Sequence, residues 1–265
     1  MIEIYILLST GIFVGTLVGL FGIGGGLIIV PVISYILITV HGYSFDEALI
    51  RAIATSLASI VLSSSIAIIS NHFNHNINWK IVSKFAPGVL IGSILIGFCL
   101  QQLPTNFIRT VFILYTLIAA YKILCPAVTN KISTLPSFFL TNFIGAGFGF
   151  LSGLVGIGGG TLFVPYMTSR GIKIKSAIGI TSCLSLIIGF SSSTALFFSW
   201  QYSPILQHSP MIGAVYLPAI IFLTLPSLIF VKLSSDWLQK ICDKKIQRAF
   251  AYLLILIGLI MLFMN

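Results

Sequence analysis

Two stretches of this chain put helix-breaking backbone where chemistry can use it. They read GLFGIGGGLIIVP from Gly19 to Pro31 and GLVGIGGGTLFVP from Gly153 to Pro165. Three glycines in a row, Gly24-Gly25-Gly26 and Gly158-Gly159-Gly160, are expected to unwind a helix and free backbone N–H groups that protein, water or ligand must then satisfy. A helix restarting at Leu27 or Thr161 aims its positive end at the break, which favours an anion without placing a full charge in an apolar setting. Hydroxyls recur beside the breaks. Thr55, Ser56 and Ser59 correspond to Thr181, Ser182 and Ser185, and such groups can donate to oxyanions while staying neutral. The expected substrate-binding set is therefore Gly24, Gly25, Gly26, Thr55, Ser56, Gly158, Gly159, Gly160, Thr181 and Ser182. The competing reading is that these hydroxyls bond their own or a neighbouring helix, as is common in membranes.

Other chemistries fit less well. Neither glycine run has the last glycine of G-x-G-x-x-G, and no Lys-Ser/Thr pair follows as a phosphate-binding loop requires. The outer glycines, Gly19, Gly22, Gly153 and Gly156, read as packing positions that let helices approach closely, and Gly11 reads as an ordinary part of the first span. His72 and His75 stand at a spacing that could share a helical face, but no carboxylate is near and the segment joins two spans, so interfacial residues are expected. Cys99, Cys125, Cys183 and Cys242 are far apart and form no metal or disulfide pattern. Cys183, beside Thr181 and Ser182, reads as a small packing residue. No metal and no cofactor is expected.

The elements that hold these residues follow from composition. The 265 residues are 57% hydrophobic and only 7% charged, too little polar surface to cover a soluble globule. Apolar runs recur from Ile4 to Met264, most of them near the ~17–25 residues that span a bilayer as a helix. The lipid bilayer is thus the chain's surrounding. The net charge of +9 reflects basic residues in short loops, not a nucleic-acid surface. No basic segment precedes Ile4, so the first span is expected to be retained.

The chain is duplicated. Leu17–Ile33 and Leu151–Met167 agree at 10 of 17 positions at an offset of 134, and RAIATSL from Arg51 matches AIGITSC from Ala177. Pro87 and Pro218 then stand at similar points in the third span of each half. The expected fold is an all-α integral membrane protein with about eight transmembrane helices in two four-span repeats, 1–125 and 137–265, joined by a linker at 126–136. In that arrangement the first span of each repeat is one crossing broken at Gly-Gly-Gly. Basic residues then divide 10 against 4, with both termini outside. Making each glycine segment a hairpin of two crossings gives inverted repeats and a split of 12 against 2. Length speaks for the single crossing: Thr161 to Ser169 covers only ~13 Å of a ~30 Å core.

The paired glycine motifs, each followed by an Ala-rich Thr-Ser segment, resemble the signatures of the sulfite exporter TauE/SafE family of permeases, and the resemblance extends over nearly the whole chain. It implies a transporter of sulfur-containing anions such as sulfite or organosulfonates in a bacterial inner membrane. Phe163 and Tyr166 replace Ile29 and Val32 of the first copy, so the halves need not bind equally. A transporter of another solute or a cation is the nearest rival, yet Asp46, Glu47, Asp236 and Asp243 all fall in expected loops, leaving no carboxylate in the spans for a cation or proton relay. A membrane enzyme would need a geometric set of titratable groups, which the spans lack. A non-transporting sensor would not account for paired helix breaks.

Overall fold

A computed structural model of the protein describes residues 2–21, 25–124, 136–200, 211–238 and 244–263. It is almost entirely helical. Helices α1 (Ile2–Phe21), α2 (Gly26–Thr39), α3 (Phe45–Phe73), α4 (Trp79–Cys99) and α5 (Thr105–Leu124) are followed by α6 (Phe138–Val155), α7 (Gly160–Ser169) and α8 (Ile174–Ser199). A two-stranded hairpin of β1 (Met211–Ile212) and β2 (Val215–Tyr216) leads into a short α9 (Leu217–Ala219), a π turn at Ile220–Thr224, then α10 (Leu225–Leu238) and α11 (Lys244–Phe263). The π turn precedes Pro226, whose missing N–H disturbs the regular ladder one turn back. Among the described residues, five helical stretches are long and apolar enough to cross a membrane: Phe45–Phe73, Trp79–Gln102, Phe138–Val155, Ile174–Ser199 and Leu217–Ser234. Large apolar side chains cover the outside, with Phe73, Phe139 and Phe143 each more than three-quarters exposed. A water-facing surface of that kind would aggregate, whereas lipid solvates it. This is a multi-pass α-helical membrane protein.

Helix directions follow from side-to-side contacts. On α4 and α6, Gly88 abuts Asn142 and Gly92 abuts Ala146, so the two run parallel. The same sense holds for α4 and α8, where Ser93 bonds Ser191 and Gln101 bonds Ser199. Two parallel helices, α6 and α8, require the segment between them to travel the other way. Accordingly α7 folds back along α6: Phe148, midway along α6, meets Phe163 edge-on at 5.1 Å and Tyr166 at 5.7 Å. Continued in one helical direction, residues 148 and 166 would be about 27 Å apart.

The first half behaves likewise. Gly11 and Gly15 on α1 abut Leu223 and Ser227, Thr224 donates to Ser59 on α3, and the Tyr216 N–H donates to Thr55. Thus α1, α3 and α10 are parallel, and α2 returns between α1 and α3. The glycine segments are hairpins, which overturns the single broken crossing. A return segment need not traverse the whole core. The 14-residue α2 and the 10-residue α7 each run only from the break back to one end of the bundle, about 21 and 15 Å. Gly11 is also not ordinary, because a Cβ there would strike the Leu223 backbone.

These directions sort the charges. Arg51 and Arg109 lie toward the end of the bundle where α1 and α3 begin. Lys80, Lys84, Lys122, Arg170, Lys173, Lys175 and Lys232 lie toward the other.

Candidate functional site

The two breaks meet inside the bundle. A Cβ on Gly26 would run into the backbone of Gly156 and come within 2.8 Å of Ser56 Oγ, and one on Gly156 would lie 3.1 Å from Val30 and 3.3 Å from Ile53. Ser56, from α3, donates to the Gly156 carbonyl at 2.8 Å. Ser185, from α8, donates to the Gly158 carbonyl. The second break is therefore held from two helices, α3 and α8, through hydroxyls on carbonyls that have left the helical ladder.

Both breaks restart a helix in the same way. In α2 the first amides to bond are Ile28 and Ile29, both on the Gly25 carbonyl. In α7 they are Leu162 and Phe163, both on the Gly159 carbonyl. The N–H groups of Gly26, Leu27, Gly160 and Thr161 precede the ladder and have no intrahelical acceptor. Pro31 and Pro165, one turn into each helix, also deprive the carbonyls of Leu27 and Thr161 of their usual partner. Each break thus gathers donors at the positive end of a helix, with one acceptor beside them.

The backbones of the two breaks differ. Gly159 and Gly156 take left-handed conformations, with φ of 71° and 73°, which strain any residue with a side chain. Gly25 sits at φ −60° and ψ 0°, open to every residue, and only Val14 Cγ1 stands where its Cβ would go. Gly24 lies outside the described residues. Beside the second break is a polar cluster that sequence reasoning missed. Tyr115 on α5 hydrogen-bonds Thr161 Oγ1, and Ser152 Oγ, buried on α6, has no partner of sound geometry among the described residues.

The Thr-Ser pairs are buried around the junction, but their hydroxyls are engaged. Thr55 donates to the Arg51 carbonyl at 2.7 Å, Thr181 to Ala177 at 2.6 Å and Ser182 to Ile178 at 3.0 Å. Only Ser56 reaches a break. The expectation that all four present donors to a ligand is corrected to this extent: a helical Thr or Ser with a carbonyl one turn back satisfies its O–H locally. Cys183 is buried. His72 packs edge-on against Trp79 at 6.0 Å, and no group of three or more His, Cys, Asp or Glu side chains able to hold a metal exists among the described residues.

Arg51 is a second feature missed. It is a helix residue, not a loop charge, because Ser44 caps α3 and accepts from the Glu47 N–H at 3.4 Å. That places Arg51 nearly two turns inside the bundle, 3% exposed. The signal was present as Ser44-Phe45-Asp46-Glu47, the pattern of a capping box.

A multi-pass helical bundle whose interrupted helices meet at an internal polar junction is the architecture of a membrane transporter. The sequence agrees. The chain belongs to the sulfite exporter TauE/SafE family, whose model matches residues 7–261. It is 31% identical over 259 residues to a probable membrane transporter protein of Haemophilus influenzae, covering 97% of both chains. A probable membrane transporter protein of Methanocaldococcus jannaschii is 28% identical over 269 residues, 97% of this chain and 94% of its own. No solved structure matches the chain at a significant level. The family and these relatives are membrane transporters, not enzymes, and this chain is a membrane transporter.

Proposed function

We propose that the protein moves small sulfur-containing anions, such as sulfite or organosulfonates, through a site where its two helix breaks meet. The observation that carries this reading is the abutment of Gly26 on Gly156, which brings the restart of α2, with its unspent N–H groups, against the second break. A site of this kind binds an anion by dipoles and amide donors alone, and it can release the anion because no full positive charge holds it there. The binding set comprises Gly24, Gly25, Gly26, Gly158, Gly159 and Gly160, with Thr161 and Tyr115 at the second break. Ser56 fixes the junction, and Thr55, Thr181 and Ser182 form its wall.

The halves 1–125 and 137–265 are inverted repeats joined by 126–136. Supporting this, partners are exchanged between them: α1 packs on α10 as α6 packs on α4, and α3 packs antiparallel to α8, with Gly189 on Leu57 and Gly179 on Asn76. The end rich in lysine faces the cytoplasm of a bacterial inner membrane, following the positive-inside bias. Cysteines replacing Lys84, Lys173 and Lys232 in a cysteine-free background are then labelled from the cytoplasmic side and one at Gln102 from the other. Labelling of Lys84 and Lys173 from opposite sides would overturn the inverted arrangement.

Function is tested by uptake and efflux of labelled sulfite, thiosulfate, sulfate and sulfoacetate in reconstituted vesicles. Movement of at least one sulfur oxyanion, reduced roughly tenfold in Gly159→Ala, is the expected result. Movement of cations or neutral solutes in its place would replace the anion reading.

A further inference from the structure

The most unusual buried group in the molecule is the guanidinium of Arg51. It is 3% exposed, and no carboxylate lies within ion-pair distance among the described residues, where the one such contact joins His41 and Glu3. Its charge rests on aromatic faces, 5.0 Å from the Tyr43 ring and 5.1 Å from the Trp200 ring. One terminal nitrogen donates to Met211 Sδ at 2.8 Å and to the Gly213 carbonyl at 3.4 Å. Nε has no hydrogen-bond partner among the described residues. A thioether is a weak acceptor, and a buried cation without a counter-ion is an expensive arrangement that a functional site retains for use.

Its position suggests the use. Thr55, one turn along α3, bonds the Arg51 carbonyl, and Ser56, whose hydroxyl holds the second break, is about 7.5 Å farther along the axis than Arg51. The residues covering Arg51, Met211 to Tyr216, form a two-stranded strap. Three points pin it: the Tyr216 N–H on Thr55 at 2.9 Å, and the Tyr216 hydroxyl on His41 at 2.9 Å and on Glu3.

We propose that Arg51 is an anion-docking residue between the arginine-bearing end of the bundle and the helix breaks. An oxyanion with two adjacent oxygens, a sulfite or a sulfonate, takes the unpartnered Nε–H and the N–H of the other terminal nitrogen together, and the contacts of Met211 and Gly213 on the first terminal nitrogen compete by holding the fork in its present direction. The fork of a guanidinium matches such a pair of oxygens. The amide donors of the breaks then receive the anion from a full charge, which concentrates the substrate where the neutral site alone would bind weakly. This rests on the anion reading above.

The test is equilibrium binding of labelled sulfite to the purified full-length protein and its Arg51→Gln, Arg51→Lys and Met211→Leu variants, with monodispersity checked by gel filtration. Arg51→Gln is expected to weaken binding at least tenfold. Arg51→Lys, which keeps the charge and loses the fork, should weaken it about three- to tenfold, and Met211→Leu, which removes the competing acceptor, should tighten it a few-fold. If Arg51→Gln does not fold, the other two variants decide. Sulfite affinity unchanged in folded Arg51→Gln, or in both Arg51→Lys and Met211→Leu, overturns the proposal. Failure of the wild-type protein to bind sulfite, sulfate, thiosulfate or sulfoacetate overturns instead the anion reading on which it rests.

Discussion

The two glycine breaks share a motif yet are built by different constraints. At the second, conformation decides: Gly156 and Gly159 occupy the left-handed region, and the α7 helix restarts beside the hydroxyls of Thr161, Tyr115 and Ser152. At the first, space decides: Gly25 has ordinary angles, and its neighbours are apolar, with Leu27 standing where the second break has Thr161 and Val18 where it has Ser152. The same motif can therefore restart a helix twice on different backbone angles, while only the second restart carries a hydroxyl, Thr161. Duplication keeps the restart, and divergence sets the backbone and the chemistry beside it. The second break is expected to dominate recognition, the first to complete the junction.

That comparison can be broken in several places. Gly26→Ala should have the largest effect, because the obstructing atoms are the backbone of Gly156 and cannot swing aside. Flux should fall more than tenfold while both hairpins are still made, as read by vesicle transport against immunoblot abundance. Normal flux would mean that the breaks do not meet as described.

Gly159→Ala comes next. The left-handed conformation costs an alanine about 1–2 kcal/mol, roughly tenfold in any step that needs it. Asparagine tolerates that region better than other residues with a side chain, so Gly159→Asn should retain more transport than Gly159→Ala despite its size. The opposite order would show that volume, not φ, is what Gly159 supplies.

Thr161→Val removes a hydroxyl but keeps the shape, and its expected cost is about 1 kcal/mol, near fivefold in anion affinity. Leu27→Thr, the reciprocal change at the first break, should not weaken binding, and a gain would show the apolar break can be recruited. The smallest effect belongs to Gly25→Ala. Its Cβ meets only Val14 Cγ1, a side chain, so the loss should be about two- to threefold, within what one displaced contact costs. Adding Val14→Ala should restore much of it, whereas no side-chain truncation should restore Gly159→Ala.

Outside the spans, the strap offers a milder check. Burial and the neighbouring Glu3 carboxylate hold the Tyr216 phenol above the usual tyrosine range, so it stays a donor throughout physiological pH. Tyr216→Phe should loosen the strap at every pH between 6 and 9 by a similar factor, read as hydrogen exchange at Val215 and Tyr216.

The amino-acid sequence by itself settled much. Composition alone required lipid around the chain, and the repeated GIGGG fixed where helices must break, because three glycines in an apolar run leave amides that only an internal partner can satisfy. The family resemblance was legible in the same residues. What it left open was direction. A 10-residue segment after a break can continue a crossing or return from it, and helix periodicity is the same either way. Charge counting favoured the return and length opposed it, and the contacts of Phe148 with Phe163 and Tyr166 decided for the hairpin. Nor could local sequence say which hydroxyls are free, since Thr55, Thr181 and Ser182 have a carbonyl one turn back and Ser56 alone among the pairs finds one on another segment. Only tertiary structure brought Gly26 to Gly156, 130 positions apart, and enclosed Arg51 between two aromatic rings with no acid beside it among the described residues. Those are properties of long-range packing, which no periodicity or motif encodes.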